Sequence, residues 1–132
     1  MTVREATCRC GQLRATCSGD PVRVSVCHCL ACQKRSGSAF AAQARWPDDR
    51  VQLSGAFEEW SQAGGSGSRA TFRFCATCSA TIAFVNESLP GTIAIPLGAF
   101  ADPTFPPPQF SVYEERKHPW LAVLGAGVEH FD

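Results

Sequence analysis

The amino-acid sequence predicts a mainly β fold, built from short antiparallel strands that are joined by cysteine-containing turns. Short runs rich in β-branched and aromatic residues alternate with turn residues, and no stretch keeps the 3.6-residue period of an amphipathic helix. Seven of the eight cysteines fall in three tight groups where the strand pattern breaks. With 132 residues, of which 45% are hydrophobic, the chain is expected to form one domain over residues 1–132.

The first elements surround two of the cysteine groups. Residues 3–8 and 12–17 predict a β-hairpin, because Gly11 suits the left-handed backbone that a tight turn often needs. Residues 22–26 predict a strand that leads into the second cysteine group. Residues 30–35 then predict one short helical turn that ends at Gly37.

The rest of the chain predicts strands separated by loops. The glycine- and serine-rich residues 64–68 predict a hairpin loop, and the prolines at 103 and 106–108 predict an irregular crossing before the last strand. The predicted strands lie at residues 38–45, 51–53, 56–60, 70–74, 81–85, 92–96 and 110–113.

The cysteine spacing favours metal ligation over disulfides. The three groups are Cys8 with Cys10; Cys27, Cys29 and Cys32; and Cys75 with Cys78, while Cys17 stands alone. One intervening residue does not readily give the Cα separation that a disulfide requires. A disulfide framework also needs an oxidising compartment, and the N-terminal residues have no apolar stretch of signal-peptide length. We therefore expect a cytoplasmic protein without membrane segments.

The number of clustered thiols suggests two zinc ions of different character. A structural zinc site is closed by four ligands, whereas a reactive site has three protein ligands and one open position. Two distant two-ligand knuckles form a natural cross-link, and three ligands within six residues form a local, partly open cup. Spacing alone does not determine which thiols belong to which site.

The charge balance argues against nucleic acid as a partner. Twelve basic and twelve acidic residues give a net charge of zero. Binding to a phosphate backbone requires a basic surface that this composition lacks.

The motifs together resemble the glutathione-dependent formaldehyde-activating enzyme family, which includes the centromere protein V-like proteins. The similar motifs are Cys8-Arg9-Cys10-Gly11, Cys27-His28-Cys29-Leu30-Ala31-Cys32 followed by Lys34 and Gly37, Phe74-Cys75-Ala76-Thr77-Cys78, and the late Pro119-Trp120. They extend over residues 8–120. The resemblance implies a β-tent fold with a structural zinc on Cys8, Cys10, Cys75 and Cys78, and a second, open zinc on Cys27, Cys29 and Cys32.

The resemblance also implies a carbon–sulfur lyase-type reaction, in which glutathione adds to formaldehyde to give S-hydroxymethylglutathione. The partners would be a small thiol such as glutathione and a small aldehyde. Whether the chain forms a homodimer through an exposed strand edge is left open by the sequence. Lys34 and Arg35, which follow Cys32, are the candidates to bind the carboxylates of the thiol. A solvated charged face is the competing interpretation of these two residues.

Two positions depart from the family pattern. Gln33 stands where an arginine usually follows the third central cysteine, which removes a positive charge beside the open metal. Ser79 stands where glycine usually follows the closing knuckle, at a cost of roughly 1 kcal/mol if the turn requires left-handed backbone.

The remaining candidates have structural interpretations. His28 lies between two ligands in an extended run and should point away from their metal. Cys17 is expected to be a small buried hydrophobic residue. Trp46, Trp60 and Trp120 are expected to pack in the core or in a pocket wall rather than to stack on substrate.

A binding module is the alternative to an enzyme, because both zinc ions would be structural if His28, His118 or Cys17 completed the central site. A zinc deaminase is disfavoured because no glutamate lies next to the first central ligand. A thioredoxin-like role for Cys29 and Cys32 lacks the required βαβ context.

Overall fold

The computed structural model describes residues 1–64 and 67–132. Short 3₁₀ turns at Asp48–Arg50, Leu97–Phe100 and Glu114–Arg116 link some of the main elements. The main elements are β1 (Val3–Thr7), β2 (Arg14–Ser18), β3 (Arg23–Cys27), α1 (Leu30–Ser36), β4 (Ala41–Pro47), β5 (Val51–Ser54), β6 (Phe57–Ala63), β7 (Arg69–Cys75), β8 (Thr81–Asn86), β9 (Thr92–Pro96), β10 (Phe110–Val112) and β11 (Glu129–His130).

The strands form two sheets of unequal size. The small sheet has the order β1-β2-β5, and the large sheet has the order β11-β10-β3-β4-β9-β8-β7-β6. All pairs in the small sheet are antiparallel, whereas β10 pairs in parallel with both β3 and β11. In the described part of the chain, no helix is both long enough and apolar enough to cross a membrane.

The hydrophobic core is made by residues of both sheets. Leu13, Ala15 and Cys17 of the β1–β2 hairpin are fully buried in the same cluster as Trp46 and Ile95 of the large sheet. The indole nitrogen of Trp46 donates a hydrogen bond of 2.9 Å to the carbonyl of Gly19, so this large buried side chain leaves no polar atom unpaired.

Strand alternation gives the large sheet a second, polar face. Because β3 and β4 pair antiparallel, Arg23 lies opposite Arg45, Ser25 opposite Gln43, and Cys27 opposite Ala41. The residues between them, including Val24, Ala44 and Trp46, point into the core. We call the side that carries Cys27, Gln43 and Arg45 the site face; α1 and its residue Arg35 lie against it.

The predicted class of short antiparallel strands with cysteine knuckles is confirmed, and every predicted strand is present, most of them with shifted ends. The parallel pairings of β10 and the two-residue strand β11 were not predicted. Residues 65 and 66 of the predicted 64–68 loop lie outside the described residues. The strands on either side of that loop pair antiparallel, with Ala63 opposite Arg69.

The helical turn also agrees with the prediction. α1 ends at Gly37, which has a left-handed φ of 68° and whose amide donates to the carbonyl of Gln33. Because glycine tolerates this conformation, the chain can leave the helix immediately and enter β4.

Candidate metal centres

The first candidate centre joins the two sheets. Cys8 and Cys10 lie in the β1–β2 turn of the small sheet, and Cys75 and Cys78 lie in the β7–β8 turn of the large sheet. Their four sulfur atoms lie within 4.8 Å of one another. The grouping predicted for these four residues is therefore present, and a metal ion held there would cross-link the sheets.

The sulfur positions fit a tetrahedral metal. The Sγ of Cys10 lies 3.6 Å from that of Cys8 and 3.7 Å from that of Cys75. Metal–sulfur bonds of ~2.3 Å in a tetrahedral zinc site place the sulfurs ~3.8 Å apart, whereas a disulfide would bring two of them to ~2.05 Å.

Hydrogen bonds favour the thiolate form of Cys75. Its sulfur accepts from the side-chain amide of Gln12 at 2.9 Å and from the backbone amides of Thr77 and Cys78 at 3.3 and 3.4 Å. Burial opposes ionisation, but these donors lower the pKa of the Cys75 thiol to about 5. Ionised sulfur is the form that binds a metal.

Gln12 is a residue of this centre that the sequence analysis missed. Its side chain also donates to the Ala56 carbonyl at 2.6 Å and accepts from the Ala56 amide at 2.9 Å. This close approach requires Gly55, whose φ is 109° and where a Cβ atom would collide with the Gln12 backbone. A lone glutamine after a Cys-x-Cys-Gly motif carries no signal of such a role in the sequence.

The second candidate centre lies at the junction of β3 and α1. The sulfurs of Cys27, Cys29 and Cys32 lie within 4.8 Å of one another. Cys27 is the last residue of β3, and Cys29 is the N-cap of α1, where its sulfur accepts from the Cys32 amide at 3.3 Å. Among the residues that the structure describes, no fourth His, Cys, Asp or Glu side chain joins this group.

A hydrogen bond couples the ionisation of Cys27 to that of Cys32. A hydrogen bond with Cys32 lowers the pKa of Cys27 to about 6 against the opposing effect of burial, and the same interaction raises the pKa of Cys32. A metal that binds all three as thiolates must therefore displace protons.

Gln33 ties the C-terminal segment to this centre. Its side-chain amide donates to the carbonyls of His28 at 2.8 Å and Arg116 at 3.1 Å, and its oxygen lies 3.1 Å from Nε2 of His118. Because the amide group already donates to two carbonyls, its oxygen accepts from His118. Gln33 thus lacks the positive charge of the usual arginine and holds residues 116–118 in place.

His28 and Cys17 lie outside both groups of sulfurs. The fully buried ring of His28 bonds through Nε2 to the hydroxyl of Ser111 at 2.9 Å, which agrees with the predicted structural role. Cys17 is fully buried in the core, and burial raises the pKa of its thiol to about 12. The prediction that Cys17 is a small buried residue of the core is confirmed.

Positive charge reaches the central cysteines from two arginines. Arg35 extends from α1 over the ring of Phe84, 5.0 Å from its centre, and Arg45 lies over the same ring at 5.6 Å. Burial lowers the pKa of both arginines, whereas Cys27 and Cys32 act in the opposite direction. The sequence analysis selected Arg35 and missed Arg45, which looks like any other residue of an alternating strand. Lys34 is exposed and makes no ion pair or hydrogen bond with a described residue.

The tryptophan prediction is partly wrong. Trp46 packs in the core, but Trp60 is 51% exposed on strand β6 and Trp120 is 72% exposed near the C-terminus. β6 is the edge of the large sheet, so only one neighbouring strand covers the Trp60 ring, which stacks on Phe72 at 6.1 Å. Trp120 contacts the His118 ring at 5.3 Å.

Comparison with known proteins gives one family and one similar fold. No curated protein sequence matches the chain significantly. A crystal structure of a Rhodobacter sphaeroides protein, a structural genomics target, aligns with a TM-score of 0.56 at 21% identity, over 72% of this chain and 85% of that chain. The family model for glutathione-dependent formaldehyde-activating enzymes matches residues 3–116, which include all seven clustered cysteines. This chain is therefore a member of the glutathione-dependent formaldehyde-activating enzyme family.

Proposed function

We propose that the protein is a zinc-dependent carbon–sulfur lyase-type enzyme that forms or cleaves the adduct of a small thiol and a small aldehyde. The reaction of the family name, with glutathione and formaldehyde, is the leading case. The observation that carries the proposal is the central group of three cysteine sulfurs, with no fourth ligand side chain among the described residues. A metal on three protein ligands has a position for an external ligand.

Two zinc ions per chain are part of this proposal. The donors are all cysteine sulfurs, which zinc accepts in both closed and open sites. We assign the structural role to Cys8, Cys10, Cys75 and Cys78, whose four sulfurs lie within 4.8 Å of one another and can supply all four ligands of a closed site. Cys27, Cys29 and Cys32 would hold the second ion.

When bound at the central cysteines, zinc would supply the Lewis acidity that ionises a coordinating thiol near neutral pH. In the net reaction the thiol sulfur forms a bond to the carbonyl carbon, the π bond of the carbonyl breaks, and the thiol proton ends on the oxygen. Arg35 favours the thiolate of the substrate by its charge and can pair with a carboxylate of the same molecule. Lys34 is proposed to meet a more distant charged group, since its side chain is exposed.

We also propose that the chain works as one domain in the reducing cytoplasm on small molecules. All eight cysteines are free thiols in the structure. The net charge of zero supports a small-molecule substrate rather than nucleic acid or an anionic membrane.

The test is the rate of exchange between formaldehyde and its glutathione adduct, measured by NMR against the spontaneous reaction. The zinc-loaded protein should accelerate the exchange. Cys29→Ser should remove the acceleration, and Cys17→Ala should keep it because Cys17 lies in the core. If no aldehyde and thiol pair exchanges faster than the background, the protein is better described as a zinc-stabilised binding module.

A further inference from the structure

Three arginines of the site face lack acidic partners. The ion pairs in the described part of the chain involve other basic residues. The three guanidinium groups lie on aromatic rings instead: Arg23 on Phe110 at 4.5 Å, Arg35 on Phe72 at 5.2 Å and Phe84 at 5.0 Å, and Arg45 on Phe84 at 5.6 Å. In a protein of zero net charge, this is a local excess of positive charge.

Two buried residues of the site face carry unpaired polar atoms. Arg45 is only 7% exposed, and its Nη1 has no hydrogen-bond partner among the described residues. Gln43, two residues earlier on the same face, is 5% exposed, and its side-chain oxygen also has no such partner. The amide nitrogen of Gln43 donates to the hydroxyl of Ser25 at 3.0 Å, which fixes the direction of the unpaired oxygen.

Buried polar groups of this kind rarely remain without partners in native proteins. A buried guanidinium is the more costly of the two, because its charge is also removed from water. The pair therefore presents one donor and one acceptor, side by side, that a bound molecule can satisfy.

The charge of the neighbouring cysteines does not balance the arginines. A divalent metal on three thiolates carries one net negative charge, and Arg35 with Arg45 adds two positive charges. The centre is thus left with one net positive charge before a substrate binds; a substrate thiolate would neutralise this charge, but Nη1 of Arg45 would still lack a hydrogen-bond acceptor. An anionic substrate group is favoured at this place, and a guanidinium pairs with a carboxylate through two parallel hydrogen bonds.

We propose that Arg45, Arg35 and Gln43 form a carboxylate subsite beside the central cysteines, which selects thiols that carry a carboxylate next to an N–H group. The carboxylate is held by Arg45 and Arg35, and the N–H donates to the side-chain oxygen of Gln43. Cysteine-containing peptides and N-acylated cysteine have this combination. The inference rests on the proposed function, because it assumes that a substrate thiol is the fourth ligand of the central metal.

The test compares two thiols that differ in the carboxylate alone. N-acetylcysteine and N-acetylcysteamine share the thiol and the amide, and only the first is anionic. Each is titrated into protein loaded with cobalt in place of zinc, at constant ionic strength, and binding is followed by the thiolate-to-cobalt absorption. Because a charge-assisted hydrogen bond is lost with the carboxylate, we expect N-acetylcysteine to bind about 10 to 100 times more tightly.

Single substitutions test which arginines cause the preference for the thiol that carries a carboxylate. Arg45→Gln should reduce the affinity ratio to near one, mainly by weakening N-acetylcysteine, and Arg45→Lys should restore part of it because the charge returns without the planar fork. Arg14→Gln is the matched control, since Arg14 pairs with Glu5 at 3.4 Å and belongs to β2 of the small sheet rather than to the site face. It should leave the ratio unchanged. Metal content and circular dichroism check that each variant is folded. If Arg45→Gln is not, Arg35→Gln, whose side chain is less buried, is used in the same comparison.

Several outcomes would overturn the subsite. Equal affinities of the two thiols for the unaltered protein would do so, as would a cobalt spectrum that neither thiol changes. Loss of the preference in Lys34→Ala but not in Arg45→Gln would show that the carboxylate binds at the exposed surface of α1 instead. Thiol discrimination without faster adduct exchange would refute the proposed function alone, and faster exchange without discrimination would refute the subsite alone.

Discussion

Replacement of Ser79 by glycine should stabilise the protein, because Ser79 has a left-handed backbone conformation that is unfavourable for a residue with a side chain. Ser79 closes the second knuckle of the four-cysteine centre with a φ of 69°, and its amide donates to the Cys75 carbonyl at 3.0 Å. Left-handed backbone costs a residue with a Cβ roughly 1–2 kcal/mol. Glycine removes this cost and adds about 0.5–1 kcal/mol of conformational entropy to the unfolded chain. The Ser79 side chain is exposed, so the net gain should be about 0.5–1 kcal/mol.

The gain can be measured by urea unfolding at a fixed, saturating zinc concentration, because metal bound to the folded state contributes to apparent stability. A thermal scan should show a rise of roughly 2–4 °C for a chain of this size. Ser88→Gly is the matched control. Ser88 is also exposed in a turn, but its φ is not positive, so the same substitution should destabilise by about 0.5 kcal/mol. If Ser79→Gly is no more stable than Ser88→Gly, the positive φ of Ser79 does not destabilise the folded protein.

Four further substitutions test the unequal roles of the cysteines and the docking of the C-terminal strand. Cys75→Ser should lose one zinc by native mass spectrometry and much of the fold by circular dichroism, whereas Cys29→Ser should lose one zinc and stay folded; equal unfolding would contradict the division of the sites. Cys17→Ala should keep both metals and lose on the order of 1 kcal/mol in urea unfolding, and loss of a metal would show that Cys17 is a ligand. The hydrogen bond from His130 at 2.8 Å lowers the pKa of Glu114, so this pair stabilises the fold at neutral pH and the effect disappears as the pH falls through that lowered pKa. Glu114→Gln should therefore be slightly less stable than the unaltered chain at pH 7, by up to ~1 kcal/mol, and the difference should shrink as the pH falls below the ordinary pKa of a glutamate; a constant difference would exclude the linkage.

The strand content could be predicted because it depends on local signals. Alternation marks β3 and β4, and glycine at positions 11 and 37 marks a turn and a helix end with positive φ. Pairing between distant segments has no local signal. β10 joins β3 in parallel after more than eighty residues, and β11 has only two residues. Both strands are too short for their sequences to be distinguished from those of loops.

The two groups of candidate metal ligands could be predicted for a similar reason. Three central cysteines lie within six residues, and the paired knuckles each bring two ligands to a turn, so spacing carries most of the information. Gln12 and Arg45 could not be predicted, because their roles depend on residues far away in the sequence. Gln12 reaches a sulfur 63 residues later, and Arg45 reaches the cysteines only through the register of β3 and β4.

That register links the stability of the protein to the chemistry of its site. Side chains alternate along β4, so Gln43 and Arg45 face the central cysteines while Ala44 and Trp46 face the core. A shift by one residue would bury Arg45 among apolar side chains and move Trp46 onto the site face. Both changes are strongly unfavourable, since one buries an unpaired charge and the other removes the largest fully buried side chain from the core. The packing of Trp46 therefore holds Arg45 at the metal centre, although the two side chains lie on opposite sides of the sheet.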